Sequence, residues 1–391
     1  MNNLIRVLLV HQSAELYGSD KVMLQLVSRL DKSVFEPIVL LPTTGPLEKE
    51  LERIGVEYHV VPTIKVSRST FTFKGLVKLP LEIIYSVRSI NSLLEGRRVD
   101  VVHSNTLAVM SGALWARLRR VPHVWHVHEI IERPSIVRKT YALLLHLFAD
   151  KVMCNSHATA EHLYKDNPSL RNKSIVIWNG LEVSDDIGTS GKQNIRKELG
   201  LKPDDVLITL VGRINRWKGQ RLLVAAAEML ENAGFKNVKY LIVGGPPLGN
   251  SQYLEELERD ISNSAAGLDI SIIPFTNDIW PVWTATDIAV VPSTEPEPFG
   301  MVALEAMAAR KPVVASSFGG VVEIIVDGVT GCLFEPGNVL ALAKKLEMLI
   351  TSDRRRIEMG EAGYARLQEV FSINNYVVSI ENTYHESHVG T

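Results

Sequence analysis

Two glutamates separated by seven residues bracket the start of a predicted helix in the second half of the chain. The segment Glu297–Glu305 reads EPFGMVALE and follows an apolar, strand-like block. Its glycine lets a ligand approach the backbone closely, and the first amide groups of a helix can face an anion. Glu305 can accept hydrogen bonds from ligand hydroxyls, although an acidic residue in a first helical turn also complements the helix dipole without any ligand. The segment therefore predicts a site for a ligand with anionic groups and hydroxyls.

A second set of charged residues lies in the segment VGRINRWKG, directly after the strand-like block Leu207–Val211. Arg213 and Lys218 leave the strand end in one loop, where fixed cations can stabilise charge that develops on a diphosphate leaving group. The planar guanidinium of arginine also suits bidentate contact with phosphate. The alternative is that both are solvated loop charges.

A third motif, His123–Glu129, reads HVWHVHE. On a strand, His126 and His128 share one face, while Trp125 and Val127 share the other. Three interpretations stay open: a structural histidine pair, a metal site built on His-x-His, or a polar group beside a reacting ligand. No further cluster of metal-ligating residues stands at convincing spacing, and the sequence predicts no metal.

The segment Tyr17–Asp20 reads YGSD and lies between the first predicted strand and the first predicted helix. A glycine at such a turn lets backbone amides meet a phosphate. The signal is weak by itself, because it is neither a G-x-G-x-x-G fingerprint nor a P-loop.

The elements that must position these residues are apolar blocks separated by helical stretches such as Lys21–Leu30 and Gln220–Ala233. Most of the blocks are continuously apolar, which is typical of parallel strands buried on both faces. The polar segment Ser184–Asn194 reads as a linker, so the sequence predicts two doubly wound α/β domains with a ligand cleft between them. The predicted strands are Ile5–Val10, Pro37–Leu41, Val99–Val102, Val124–Val127, Val152–Cys154, Ile175–Ile177, Leu207–Val211, Lys239–Val243, Ile270–Ile273, Ile288–Val291 and Pro312–Ala315.

Composition excludes several classes of protein. The 391 residues are 46% hydrophobic and 22% charged, which is ordinary for a globular protein. A net charge of −2 does not indicate a nucleic-acid binder, and two cysteines do not make a disulfide framework, so a reducing compartment is expected. No apolar run reaches the length of a spanning helix, and the N-terminal apolar block is too short for a signal peptide.

Taken together, the motifs resemble those of GT-B fold retaining glycosyltransferases of family 4, the glycosyl transferases group 1. The resemblance covers almost the whole chain and is most specific in residues 207–335. The matching pieces are the E-x7-E segment Glu297–Glu305 followed by Ala306-Met-Ala, the loop from Val211 to Gly219, Trp178-Asn-Gly180, Asp287–Ser293, Gly319-Gly320 with Glu323, and Asp327-Gly with Gly331.

The resemblance implies catalytic or binding roles for five side chains. Arg213 and Lys218 would hold the donor diphosphate. Glu297 would contact hydroxyls of the transferred sugar, and Glu305 would bind the nucleotide ribose. His128 would lie near the donor sugar and the leaving phosphate.

The resemblance also implies backbone contacts with the donor. Gly18 matches one glycine of the family's N-terminal Gly-Gly turn, but Tyr17 replaces the other, which puts close backbone approach there in doubt. The remaining donor-binding positions would be Phe299, Gly300, Met301 and Val302, the last through its N–H near the phosphate.

The implied architecture is α/β, with two doubly wound Rossmann-like domains facing across a cleft. Residues 1–184 would bind the acceptor, and residues 185–371 would bind the nucleotide sugar. Residues 372–391 would form a helix that returns to the N-terminal domain.

The implied reaction moves a hexose, with retention, from a nucleotide diphosphate sugar to a glycan or lipid-linked acceptor in polysaccharide biosynthesis. A UDP-glucose-like donor is expected, with no metal or cofactor and no nucleic-acid partner. The leaving phosphate itself would accept the acceptor's proton, and domain closure would exclude water. The alternatives are a GT-B fold sugar-nucleotide epimerase or phosphorylase, or a non-catalytic sugar-nucleotide-binding protein.

A basic, apolar segment, Lys65–Arg98, carries the last expectation. Its apolar residues recur at roughly helical spacing and would pack mainly on the N-terminal sheet. The surrounding cations would then be available to an anionic membrane surface. We therefore expect a cytoplasmic protein with peripheral association at the inner face of the cell membrane. These basic residues are Lys65, Arg68, Lys74 and Lys78 of the segment, with the nearby Arg117, Arg119 and Arg120.

Overall fold

The computed structural model describes residues 4–64, 73–183, 195–247, 249–264 and 268–390, with the backbone alone for residues 73–76. The chain divides into two compact units, one of Met1–Gly180 with Ile373–Thr391 and one of Leu181–Ser372. The predicted linker Ser184–Asn194 lies outside the described residues, as do Lys65 and Arg68 of the predicted basic surface.

Each unit is built on one parallel β-sheet. In the first unit the strand order is β3-β2-β1-β4-β5-β6-β7, and in the second it is β10-β9-β8-β11-β12-β13. The strands are β1 (Ile5–Val10), β2 (Phe35–Leu41), β3 (Glu57–Val60), β4 (Val101–Asn105), β5 (His123–Val127), β6 (Lys151–Cys154), β7 (Ser174–Val176), β8 (Val206–Val211), β9 (Val238–Val243), β10 (Ile270–Ile273), β11 (Ile288–Val291), β12 (Val313–Ser316) and β13 (Gly331–Phe334).

Helices connect successive strands, as parallel pairing requires. They are α1 (Gly18–Arg29), α2 (Pro46–Arg53), α3 (Phe73–Leu94), α4 (Ser111–Arg119), α5 (Ser135–Phe148), α6 (His157–Tyr164), α7 (Gln220–Asn232), α8 (Gln252–Ser262), α9 (Trp280–Ala285), α10 (Met301–Ala308), α11 (Val321–Ile324), α12 (Val339–Ile350), α13 (Asp353–Val370) and α14 (Ile373–Val389). A 3-10 helix spans Pro168–Asn172. The prediction of two doubly wound, Rossmann-like α/β units is confirmed.

The central strands form where continuous apolar runs can be buried on both faces. All six residues of β8 are apolar except Thr209, whose hydroxyl is paired with that of Thr286 at 2.7 Å. In the first unit, strands and helices α3 and α4 share one core that includes Leu8, Val102 and Trp115. Burial on both faces fixes the register of these strands, and it therefore fixes which loops meet at their carboxyl ends.

Two differences from the sequence analysis concern strand limits. The edge strands β3 and β13 were not predicted. Strand β3 is only half-buried and lacks a continuous apolar run, and β13 has only 4 residues and begins with a glycine. Strand β4 was predicted as Val99–Val102 but continues to Asn105, because His103, Ser104 and Asn105 are buried polar residues with hydrogen-bond partners. The shift matters, since it brings polar side chains to the carboxyl end of the sheet.

Among the helices in the described ranges, none combines the length and the apolar character needed to cross a membrane.

Candidate functional site

The strand order reverses direction at one point in each sheet, and the loops that meet there carry the predicted site residues. In the second unit the reversal lies between β8 and β11, whose following loops contain Arg213 with Lys218 and Glu297 with Gly300. Ligands of open parallel sheets bind beyond the carboxyl ends of the strands at such points. The topology therefore supports a ligand site built from these two loops.

Three polar side chains meet between these loops. Nζ of Lys218 lies 2.6 Å from Oε1 of Glu297, and Oγ of Ser293 donates to the same oxygen at 2.5 Å. The lysine side chain is 17% exposed and the glutamate side chain 8% exposed. Removing either partner of this largely buried ion pair would leave an uncompensated charge, so each side chain holds the other in position. Lys218 also lies over the ring of Trp217, with Nζ 4.4 Å from the centroid.

The loop after β8 is fixed by its own hydrogen bonds. Oδ1 of Asn215 accepts from the backbone amides of Trp217, at 3.1 Å, and Lys218, at 3.0 Å, which closes a turn typical of asparagine. Gly219 then has φ +79° and lies so close to Pro292 that a Cβ atom would stand 1.9 Å from its carbonyl oxygen. Only glycine fits there, so the two loops that carry the ion pair are packed backbone to backbone. The side chain of Arg213 is exposed at the start of the same loop.

The start of α10 is also tightly packed. Gly300 precedes the helix with φ +123°, a conformation that favours glycine. Phe299 is buried against Phe371, with ring centroids 5.9 Å apart. The amides of Met301 and Val302 begin the helix and have no residue four positions earlier in it to accept from them. These amides can therefore serve an anionic ligand, whereas the Phe299 side chain serves packing.

Glu305 is oriented by a buried tryptophan. Nε1 of Trp283 donates to Oε2 of Glu305 at 3.3 Å, and Trp283 is fully buried. Glu305 itself is half-buried. The carboxylate is thus directed by packing in addition to its position on α10.

In the first unit the strand order reverses between β1 and β4, and polar residues gather beyond these strands and β5. Asn105 ends β4, His11 follows β1, and His128 follows β5. The rings of His126 and His128 lie 4.0 Å apart between centroids, on the shared face that the sequence predicted. His126 is fully buried, and neither of its ring nitrogens has a hydrogen-bond partner within the described part of the chain.

His128 is the half-buried member of this pair. Burial, together with the nearby His11, lowers its pKa to about 3. Its Nε2 lies 2.8 Å from Oδ1 of Asn105. His128 therefore does not supply positive charge to a phosphate near neutral pH.

Glu129 joins the loops that follow β4 and β5. Its Oε2 accepts from the amides of Leu107 and His128, both at 3.1 Å. Burial raises the pKa of Glu129 to about 7, in spite of these two donors. No role was predicted for Glu129 from the sequence, because a lone glutamate after a strand carries no signal of its burial.

Gly18 is the first residue of α1. Among the described residues, nothing lies within 4 Å of the place that a Cβ atom would take there, and the backbone is not in the left-handed region. Gly18 therefore leaves open space at a helix start. The neighbouring Asp20 is buried and accepts hydrogen bonds from His11, Ser13 and the amide of Tyr17.

Sequence reasoning missed several residues of these sites. Asn105, His11 and Ser293 are buried polar residues at strand ends; Asn105 and His11 contact each other across the sequence, and Ser293 contacts Glu297 later in the same loop. The only available signal was a polar residue directly after an apolar strand. Over the described residues, no group of three or more His, Cys, Asp or Glu side chains could hold a metal ion.

Comparisons with known proteins agree with the fold and these motifs. Residues 191–366 match the family described as Glycosyl transferases group 1, and residues 17–185 match Glycosyltransferase Family 4. D-inositol 3-phosphate glycosyltransferase of Corynebacterium efficiens is 34% identical over 371 residues, which cover 88% of this chain and 84% of that protein. The protein of the same name from Corynebacterium aurimucosum is 30% identical over 243 residues, or 60% of this chain and 56% of that protein.

A solved structure supports the same fold. The crystal structure of Anabaena Alr3699/HepE in complex with UDP-glucose has a TM-score of 0.83 and 24% identity, and the match covers 97% of this chain and 99% of that one. The family matches and the extensive similarity to a curated relative establish that this chain belongs to the glycosyl transferases group 1 and has the GT-B fold.

Proposed function

We propose that this glycosyltransferase moves a hexose, with retention and without a metal, from a UDP-sugar to a glycan or lipid-linked acceptor. The observation that carries the proposal is the juxtaposition of Lys218 with Glu297 at the switch point of the second sheet, beside the start of α10. Cations and helix amides suit the diphosphate, and carboxylates suit sugar hydroxyls. The UDP-glucose complex of Anabaena Alr3699/HepE supports a UDP carrier.

The leaving group is the diphosphate, and negative charge grows on it as the glycosidic bond breaks. Lys218 and Arg213, with the first amides of α10, provide fixed positive groups for that charge. Glu297 keeps Lys218 in place through an ion pair, and its remaining lone pairs can accept hydrogen bonds from hydroxyls of the sugar. Glu305, held by Trp283, is assigned to the hydroxyls of the nucleotide ribose.

Retention is proposed to follow a front-side route. In this route the departing phosphate oxygen accepts the proton of the acceptor hydroxyl as the new bond forms on the same face. Oε1 of Glu297 already accepts from Lys218 and Ser293, and Oε2 of Glu129 accepts from two amides. Both carboxylates thus have structural hydrogen bonds, which supports a leaving phosphate over a carboxylate nucleophile.

The decisive experiment is a transfer assay with a panel of UDP-, GDP- and TDP-hexoses in the presence of EDTA. We expect a UDP-hexose to be consumed, EDTA to leave the rate unchanged, and NMR of the product to show the donor's anomeric configuration. Acceptors would include a lipid-linked oligosaccharide and inositol phosphate, because the curated relatives are named for inositol 3-phosphate. An inverted product would refute the front-side route. Rescue of EDTA-inhibited activity by one divalent ion would refute metal independence.

We propose in addition that the first unit associates with an anionic membrane surface through an exposed face of α3. The helix begins at Phe73 and continues through Pro80, whereas a proline is normally expected in the first turn of a helix. Its inner side packs in the core through Ile90 and Leu94. Its outer side exposes apolar side chains at helical spacing, namely Val77, Leu81, Ile84 and Tyr85.

Charge favours an anionic lipid as the occupant of this face. Lys78 and Arg88 are exposed on α3. Helix α4 lies alongside, with Arg119 donating to Oδ1 of Asn91 on α3, and the neighbouring Arg117 and Arg120 are exposed. The basic residues around this apolar strip outnumber the exposed acid Glu82 on α3. Such a surface suits the interface of an anionic bilayer, where each cation contributes about 1 kcal/mol. Such binding would bring the enzyme to a lipid-linked acceptor.

Vesicle co-sedimentation tests this surface. The protein is expected to bind vesicles containing an anionic lipid at low salt and to be released at high salt, because exposed charges are screened. Leu81→Glu and Lys78→Glu should each weaken binding. Ile357→Glu is a matched control, since Ile357 is 64% exposed on α13 and Leu81 is 70% exposed on α3. Equal binding by Leu81→Glu, or no binding of the parent protein at low salt, would contradict the proposal.

A further inference from the structure

A continuous chain of largely buried hydrogen bonds joins Asp20, in the first turn of α1, to His128. Oδ1 of Asp20 lies 2.6 Å from Nε2 of His11. Nδ1 of His11 lies 2.9 Å from Nδ2 of Asn105, and Oδ1 of Asn105 lies 2.8 Å from Nε2 of His128. The four residues lie in the first turn of α1, at the end of β4 and in the loops after β1 and β5, and all but the half-buried His128 are buried.

The chemistry of these groups gives the chain a direction. A carboxylate only accepts, so Nε2 of His11 donates to Asp20. An amide nitrogen only donates, so Nδ2 of Asn105 is the donor and Nδ1 of His11 the acceptor. The amide oxygen of Asn105 is thereby turned towards His128, whose Nε2 must donate. In neutral His128, Nδ1 is left with a lone pair.

Asp20 is fixed as the accepting end of the chain. It is buried, and it also accepts from Oγ of Ser13 at 2.6 Å and from the amide of Tyr17 at 2.9 Å. Burial acts to raise the pKa of Asp20, but the hydrogen bonds from His11, Ser13 and the amide of Tyr17 keep it below its ordinary value. The carboxylate therefore stays ionised near neutral pH, and it cannot reverse its role.

The Asn105 end is held by a strained turn. Thr106, the next residue, has φ +90°, a conformation that is unfavourable for a β-branched side chain. Its carbonyl oxygen accepts from Nε1 of Trp125, and its amide donates to the carbonyl of His126, both at 2.8 Å. Strain of this kind persists only where surrounding contacts determine the conformation, and it is concentrated at functional sites.

Nδ1 of His128 is the nitrogen left available to a ligand. Within the described ranges it has no hydrogen-bond partner, and it is not fully buried, so a ligand can reach it. A lone pair on a neutral ring accepts from a hydroxyl but repels a phosphate oxygen. This nitrogen therefore suits a hydroxyl of the substrate.

We propose that Asp20, His11 and Asn105 are positioning residues that hold His128 as a hydrogen-bond acceptor for a hydroxyl of the substrate. The choice of a sugar hydroxyl rests on the proposed function, whereas the direction of the chain does not. A chain that only satisfied buried polar groups would fix the same tautomer but would not make sugar transfer depend on it, so tautomer and transfer are measured in the same variants.

The experiment is NMR of protein labelled with ¹⁵N in the histidine rings, near neutral pH, with His128→Gln used to assign the His128 signals. In the parent protein we expect protonated Nε2 and unprotonated Nδ1. Asp20→Asn should reverse or mix the tautomers, because the new amide can donate to Nε2 of His11. Asn105→Ala should mix them by breaking the chain. Ser13→Ala, which removes a donor to Asp20 without changing the direction, should leave the tautomer unchanged.

Protonated Nδ1 in the parent protein would overturn the proposal without recourse to any variant. So would an unchanged tautomer in both Asp20→Asn and Asn105→Ala. In sugar transfer, both variants should lose about tenfold in kcat/KM, the effect of weakening one hydrogen bond. The expected tautomer in a protein that transfers no sugar would refute the proposed function and leave the positioning chain standing. Normal transfer by variants with altered tautomers would refute the hydroxyl contact.

Discussion

Lys218→Ala is expected to lower the turnover number for sugar transfer by about 10²–10³-fold, the usual effect of removing one fixed group that stabilises developing charge. Nζ of Lys218 lies at the switch point of the second sheet, 2.6 Å from Glu297, and only 17% of the side chain is exposed. A cation held in a poorly hydrated position needs little reorganisation when charge grows on the diphosphate. Arg213→Ala, in the same loop, is expected to cause a loss of similar size.

The matched control is Lys236→Ala. Lys236 is a solvent-exposed lysine of the same unit, ion-paired with Glu231, and it lies away from the strand ends that carry the site. Its removal should leave turnover unchanged, since Lys236 precedes β9 at the amino ends of the strands, opposite to the carboxyl ends that carry the site. Thermal unfolding would show whether each variant keeps its fold. Near-normal turnover by Lys218→Ala or Arg213→Ala would show that the diphosphate lies elsewhere.

The sequence predicted the central strands because burial on both faces leaves a continuous apolar run, as in β8. The same reasoning failed where polar residues occupy a strand. Strand β4 ends in His103, Ser104 and Asn105, all buried and hydrogen-bonded. A polar strand end looks like the start of a loop in sequence, although here it brings the Asn105 amide to the carboxyl end of the sheet.

The site was predictable in its parts but not in its pairings. Arg213 and Lys218 stand out because they share one loop directly after a strand. The ion pair of Lys218 with Glu297 spans 79 residues, and the contact of His11 with Asn105 spans 94. Such pairings depend on the order of strands in each sheet, which hydropathy does not determine. Partners of this kind become visible only when the topology is known.

Glu297→Gln and Glu305→Gln are expected to separate sugar transfer from nucleotide binding. Glu297→Gln should reduce turnover by at least about tenfold, because a neutral amide is a weaker acceptor for sugar hydroxyls. Its affinity for bare UDP should be unchanged or higher, since Lys218 then loses the carboxylate that neutralises it. Glu305→Gln should instead weaken binding of bare UDP by about tenfold, while its amide oxygen still accepts from Trp283.

Calorimetry with UDP and kinetics with the UDP-sugar would measure the two effects separately. The amide substitutions keep the volume of each side chain, so the packing around Ser293 and Trp283 is preserved. Opposite changes in UDP affinity would assign one carboxylate to the sugar and the other to the ribose. Equal weakening of UDP binding in both variants would mean that the two glutamates do not divide the donor between them. Because of the ion pair with Lys218, the direction in which Glu297→Gln changes UDP affinity is informative. Neutralising a carboxylate that contacted only the nucleotide would weaken UDP binding.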